Sequence, residues 1–221
     1  MKLYQCLEYQ ANNRVATITL NRPEAGNALT NVMVVEWKDA MMAAEKDPEV
    51  KVIVIRAKGE HFCQGLDGSY LKQVMGYNLE QNAADSSSLA QLMLVIYRST
   101  KVVISEIQGE VVGEGVGLVS ACDFAIAAKG ASFATPEVKM GLVPALPMVF
   151  LLRKIGETRS KELMLTGDAI SAEAAASYDL INRAVDASVL AEEVQLVTTT
   201  SSMLEALILF TASPDNTGWV Q

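Results

Sequence analysis

Apolar and polar residues alternate along Val15-Ala16-Thr17-Ile18-Thr19-Leu20, the period-two pattern of a strand, and the run stops at Asn21-Arg22-Pro23, where proline ends a ladder. Val34, Trp37, Met41 and Ala44 then recur at helical spacing, which predicts an amphipathic helix over 30–46 closed by Asp47-Pro48. Residues 50–57 are almost continuously β-branched, as in a strand buried on both faces. Strand, helix and strand form a βαβ unit. The grammar repeats with a helix over 87–99, a strand over 102–107, a glycine-rich turn, a helix over 115–122 and a strand over 124–128. Residues 68–86 carry neither period and are expected to form a long loop, a flap on the substrate side. Beyond Pro147 the pattern predicts helices over 148–155, 159–166, 172–178 and 189–209, with a short strand over 181–185. Such alternation places the chain in the α/β class.

The 221 residues suit one domain able to bury a real core. No apolar run approaches the roughly 20 residues of a membrane helix, and the start Met1-Lys2-Leu3-Tyr4 lacks a signal-peptide core, so a cytoplasmic protein with no membrane partner is expected. Cys6, Cys63 and Cys122 lie apart without C-x-x-C spacing, which indicates neither a disulfide framework nor a metal site. A formal charge of −8 argues against nucleic acid as the partner, yet a few cations around a pocket can still hold a phosphorylated small molecule.

Three segments place backbone amides or a carboxylate after a buried strand, where open α/β sheets take their ligands. In His61-Phe62-Cys63-Gln64-Gly65-Leu66-Asp67, a glycine followed by a free N–H could face an oxyanion; a tight surface turn is the alternative. Gly109 to Leu118 follows a strand and opens a helix, so its glycines could leave N–H groups aimed at negative charge, or could serve helix packing alone. It matches neither a phosphate loop nor a dinucleotide fingerprint. In Thr135-Pro136-Glu137-Val138 a lone carboxylate sits in an apolar stretch, where burial would raise its pKa toward that of a general base; a helix-start glutamate is the alternative.

Taken in order, these segments resemble the crotonase (enoyl-CoA hydratase/isomerase) superfamily. The resemblance runs from Val15 to Val185 and includes Asn21-Arg22-Pro23-Glu24 with Asn27-Ala28-Leu29, and Phe62 to Asp67. It continues through Gly113 to Asp123, Pro136-Glu137-Val138 with Gly141-Leu142-Val143-Pro144, and the late Leu165-Thr166-Gly167, Ser171 to Ala175 and Leu180-Ile181-Asn182. It implies a ClpP/crotonase-like fold of repeated β-β-α turns, with a core over 1–187 and a shortened helical tail over 188–221. It also implies a trimer or hexamer, consistent with the apolar Leu204, Leu207, Ile208 and Phe210. By the same resemblance Glu137 is catalytic and the backbone N–H groups of Leu66 and Glu114 form an oxyanion hole. Arg22, Ala25, Ala28, His61, Gln64, Gly65, Asp67, Gly113, Gly117 and Pro136 line the substrate and CoA site, Arg22 as a phosphate contact and His61 as a wall. No metal or separate cofactor is implied; coenzyme A or phosphopantetheine arrives as part of an acyl-CoA or acyl-carrier-protein substrate.

The departures narrow this reading. Gly117 stands where typical hydratases carry a first glutamate, which leaves Glu137 alone, and Glu114 stands where the family generally has glycine. An ionised, inward-pointing Glu114 would oppose an enolate, whereas outward rotation would make it harmless. The wording is closest to one-glutamate members such as methylglutaconyl-CoA hydratases and the dehydratases of polyketide β-branching. A hydratase or dehydratase working through Glu137 is therefore expected, with a 3,2-enoyl-CoA isomerase and a non-catalytic partner subunit as alternatives.

Overall fold

The computed structural model describes residues 3–199. A hairpin opens the chain, β1 (Leu7–Asn12) and β2 (Val15–Leu20), turning through Asn13 and Arg14, both at positive φ. Helix α1 (Asn31–Lys46) starts at Thr30, whose hydroxyl accepts the Met33 N–H, and buries Met33, Val34, Trp37, Ala40, Met41 and Ala44 along one stripe. There follow β3 (Val52–Ala57), α2 (Gly68–Met75), α3 (Leu79–Tyr97) and β4 (Val102–Ile107). Next come β5 (Val111–Val112), α4 (Glu114–Ala121), β6 (Phe124–Ala128) and β7 (Ser132–Ala134). The described chain closes with α5 (Ala145–Thr166), β8 (Ile170–Ser171), α6 (Ala172–Ser177), β9 (Arg183–Val185) and α7 (Leu190–Thr199).

Two sheets result. The larger runs β1-β2-β3-β4-β6-β9, with β1 antiparallel and every other pairing parallel; the smaller joins β5 to β7 in parallel and β7 to β8 antiparallel. Side chains of β3 alternate between two cores, as the pleat requires. Ile53 and Ile55 enter the main core with Trp37, Phe62, Leu92 and Phe133, while Val52 and Val54 meet Val102, Ile104 and Ile126 beneath Leu190 and Val194 of α7. This explains the unbroken apolar run of β3: both faces of the sheet are covered.

One expectation is overturned. Residues 68–86 are not a loop or flap but carry α2 and the first turns of α3. The helices are set by their ends: the Asp67 carboxylate accepts the Ser69 and Tyr70 N–H groups, and Asn78 forms a reciprocal capping box with Gln81. Only Tyr70 of α2 is buried, so almost no apolar stripe marks it. The two helices expected over 148–155 and 159–166 are the halves of α5, interrupted at Gly156, where φ is 72°. The part of the last expected helix beyond Thr199, with Leu204, Leu207, Ile208 and Phe210, lies outside the described residues.

Candidate active site

Short backbone links bring the three glycine and glutamate segments together. After β3 the chain pairs Cys63 with Val111 and Leu29 with Leu66 as isolated parallel bridges. The second bridge uses the flanking groups, Leu29 N–H to Gly65 O at 2.7 Å and Asp67 N–H to Leu29 O at 2.9 Å. Parallel pairing of this kind turns the intervening Leu66 N–H to the opposite side, toward the start of α4. There Glu114 is the first helical residue, and its N–H has no acceptor within the helix. Gly113 supplies the bend with φ 55° and anchors it by donating to Ala134 O at 2.8 Å, while Gly65 holds φ 75°. The Leu66 and Glu114 amides thus face one small space.

Glu137 comes to the same place from a 3-10 turn, Pro136–Met140, that begins at the proline and ends at Gly141, with φ 72°. The buried Thr135 hydroxyl ties the turn to α5 by donating to Leu163 O at 3.0 Å. The Glu137 carboxyl packs directly on Gly113: a Cβ at Gly113 would collide with its Oε1. Its Oε2 is buried without a hydrogen-bond partner among the described residues, and burial raises its pKa above the ordinary carboxylate value. A buried, proton-hungry carboxylate with a vacant lone pair can take up a proton and return it.

Glu114 points inward, not away. Its Oε2 lies 3.5 Å from where a Cβ on Gly65 would stand. Burial is the main influence on its carboxyl and, helped by the charge of Glu137, lifts the pKa to about 7, while the N–H groups of Glu114 itself and of Leu66 pull it down. Gly117, by contrast, faces α3 and α5: a Cβ there would come 2.9 Å from both Met93 Cε and Pro147 Cα. No side chain fits at that position without moving a helix.

The remaining expected site residues surround this centre. Asn27, fully buried at φ 53°, donates through Nδ2 to Lys58 O and His61 O at 2.8 Å each and accepts the Arg22 N–H. It fastens the 22–28 turn, with Ala25 and the buried Ala28, to the 61–67 turn. Gln64 lies over Gly26 and donates to Glu110 at 2.6 Å beside His61, whose Nδ1 is 3.2 Å from the same carboxylate. Arg22, expected at a phosphate, bonds within the chain: Nη1 donates to Ala28 O at 2.6 Å and Nη2 to Asp67 at 3.1 Å. Asp67 is held down to about 2, chiefly by the Ser69 hydroxyl and, against burial, by Arg22 and the amides that open α2. Asn27 was missed as a positioning residue; its signal was a lone asparagine after glycine, a residue that tolerates left-handed φ. Among the described residues no group of three or more His, Cys, Asp or Glu side chains could hold a metal.

Residues 10–211 match the family model for enoyl-CoA hydratase/isomerase. The chain belongs to the enoyl-CoA hydratase/isomerase family. A crotonyl-CoA hydratase of Syntrophomonas wolfei is 31% identical, the match covering 88% of this chain and 74% of that protein. The bacillaene synthase dehydratase of Bacillus subtilis is 34% identical over 81% of this chain and 68% of its own length. In three dimensions the chain superposes on an enoyl-CoA hydratase of Mycobacterium smegmatis with TM-score 0.87 at 31% identity, covering 94% of this chain and 81% of that one. The crotonase fold expected from the motifs is therefore present, and the similar family members include both hydratases and a dehydratase.

Proposed function

We propose that the protein is a hydratase or dehydratase of an acyl thioester, in which Glu137 moves the proton and the Leu66 and Glu114 N–H groups receive the thioester oxygen. The observation that carries this reading is the Glu137 carboxyl itself: buried, raised in pKa, with Oε1 packed on Gly113 beside the amide pair and Oε2 unpartnered among the described residues. In the dehydrating direction Glu137 takes the α-proton and the electron pair of that C–H bond passes into the thioester, giving an enolate. The enolate re-forms a carbon–carbon double bond as the β-carbon–oxygen bond breaks, and Glu137 returns its proton so that the hydroxyl leaves as water. One carboxyl serves both steps when proton and hydroxyl lie on one face. A preorganised N–H donor at the enolate oxygen contributes about 3–4 kcal/mol to such a step.

Ala25, Ala28, His61 and Gln64 form the wall along which pantetheine would run, Gly65, Asp67, Gly113 and Pro136 shape the reacting end, and Gly117 lets α4 pack against Met93 and Pro147. Either CoA or a carrier protein could deliver the chain, in a cytoplasmic trimer or hexamer. A 3,2-enoyl isomerase is favoured by one observation, the packed Gly117, because a single glutamate suffices to carry a proton between two carbons. Assay with a 3-hydroxyacyl and a 3-enoyl thioester separates the two. Turnover of the 3-hydroxyacyl compound supports the proposal, and turnover of the 3-enoyl compound alone replaces it with the isomerase.

A further inference from the structure

The residues on both sides of Glu137 are fastened to one stretch of chain, the end of α5 and the strand that follows it. Before Glu137, Ser132 and Phe133 of β7 pair with Ser171 and Ile170 of β8, and the buried Thr135 hydroxyl donates to Leu163 O at 3.0 Å. That carbonyl also accepts the Gly167 N–H, at 3.1 Å, where Gly167 closes α5 at φ 64°. After Glu137, Val138 lies against the same glycine: a Cβ at Gly167 would stand 2.8 Å from Val138 Cγ1. Lys139 then reaches Asp168 at 2.8 Å. We infer that the cap of α5 is the platform that sets the Glu137 carboxyl against Gly113, with Gly167 and Thr135 as positioning residues for the proton transfer. The inference rests on the acyl-thioester reading for the reaction in which Glu137 acts.

The fastenings are unequal. Lys139 and Asp168 are both exposed, and such a pair holds little against water. Thr135 is fully buried, so its hydroxyl has no water to turn to, yet Leu163 O keeps the Gly167 N–H when the hydroxyl is removed. Loss of the hydroxyl therefore frees the turn without orphaning the carbonyl. At Gly167 the contact is steric. A Cβ there meets the short, stiff side chain of Val138, the residue bonded directly to Glu137, and Val138 gives way only by moving its own backbone. The flexible Lys139 chain, 3.3 Å from the same Cβ, can swing aside. A base displaced by about 1 Å can cost 10²-fold in rate. The Leu66 and Glu114 amides belong to other segments and stay in place, so the chemical step suffers and thioester binding does not.

The test reads turnover and the Glu137 carboxyl side by side. Gly167→Ala, alone and combined with Val138→Ala to clear the contact, is assayed with a 3-hydroxyacyl and a 3-enoyl thioester, as are Thr135→Val and Thr135→Ser, each in protein shown to be folded by circular dichroism. Gly167→Ala is expected to lower kcat about 10- to 100-fold with KM within about twofold. Adding Val138→Ala should restore most of that loss, although the left-handed backbone at residue 167 still carries a side chain. Thr135→Val should lower kcat about tenfold, and Thr135→Ser, which keeps the hydroxyl, should hold the wild-type value. In the ligand-free proteins the Glu137 carboxyl-carbon resonance, assigned by its loss in Glu137→Gln, is read by NMR at one pH. It should move in Gly167→Ala and Thr135→Val and return in the double variant and in Thr135→Ser. The inference stands only if rate and resonance change together; either one changing alone, neither changing, or a loss that Val138→Ala leaves in place overturns it. If Gly167→Ala does not fold, the Thr135 pair decides by the same two readouts. If the wild type turns over neither thioester, the acyl-thioester reading falls, and the resonance alone decides whether the cap of α5 sets Glu137.

Discussion

Gly117 and Pro147 pack so closely that a Cβ on the glycine would stand 2.9 Å from the proline Cα. This contact, between the middle of α4 and the first turn of α5, leaves no room for a side chain at the position that resemblance assigns to the family's first glutamate. Installing one does not create a two-carboxylate enzyme. Gly117→Glu is predicted to destabilise the fold by more than about 3 kcal/mol, as overpacking and a buried unpaired carboxylate act together. Chemical denaturation measures it, and a stable variant with increased hydratase activity would refute it.

Arg22 is predicted to act on stability before it acts on substrate. Removing its guanidinium leaves Ala28 O and Asp67 without their partner, which costs about 1–3 kcal/mol. Arg22→Lys should recover little, since one ammonium cannot span both acceptors as the planar fork does. Thermal unfolding reads this directly. An unchanged melting temperature with a raised KM for a CoA thioester would return Arg22 to the role of phosphate contact.

The pH dependence of stability follows from Glu114. Its folded pKa, about 7, is raised above the ordinary value of 4.5, so the folded state holds the proton more tightly than the unfolded chain does. Its contribution is fully present below about pH 4.5 and is lost as the pH rises through 7. Glu114→Gln is therefore predicted to be more stable than the wild type at pH 8, by on the order of 2 kcal/mol, with the advantage vanishing toward pH 4.5. Equal stabilities at pH 8 in urea denaturation would contradict the burial of an ionisable carboxyl there.

The second core under the sheet gives a prediction separate from the site. Leu190 and Val194 of α7 cover Val52, Val54 and Ile104 on the face opposite Trp37. Leu190→Ala should cost about 2–5 kcal/mol while leaving the kcat of the folded protein unchanged, because Leu190 packs in the second core, separate from the main one. A loss of kcat at full folding would show that the two faces are coupled.

The parts of the fold legible in the sequence are those where burial imposes a period. β2, β3 and β4 were visible because covered strands concentrate β-branched residues, β6 because it is apolar throughout, and α1 because six buried positions form one stripe. α2 was not, since one buried tyrosine makes no period; neither was the edge strand β1, whose last three residues are exposed, nor β5, β7 and β8, which are too short to repeat anything. In the site, Glu137 was legible as a carboxylate after proline in an apolar stretch. The direction of Glu114 was not, because a rotamer is chosen by three-dimensional neighbours. The Arg22–Asp67 pair was not legible for a related reason: Asp67 lies 45 residues away in sequence.

The central claim is that the Glu137 carboxyl carries the proton while the Leu66 and Glu114 amides hold the thioester. Glu137→Gln preserves the shape that packs on Gly113 and removes the base. Single-turnover kinetics with a 3-hydroxyacyl thioester, paired with calorimetric binding of the same compound, tests the claim most directly. The rate is predicted to fall by about 10²–10⁴ while Kd stays within a few fold, the pattern of a lost general base. A near-normal rate in Glu137→Gln, with activity abolished instead by Glu114→Gln, would contradict it and assign the chemistry to Glu114.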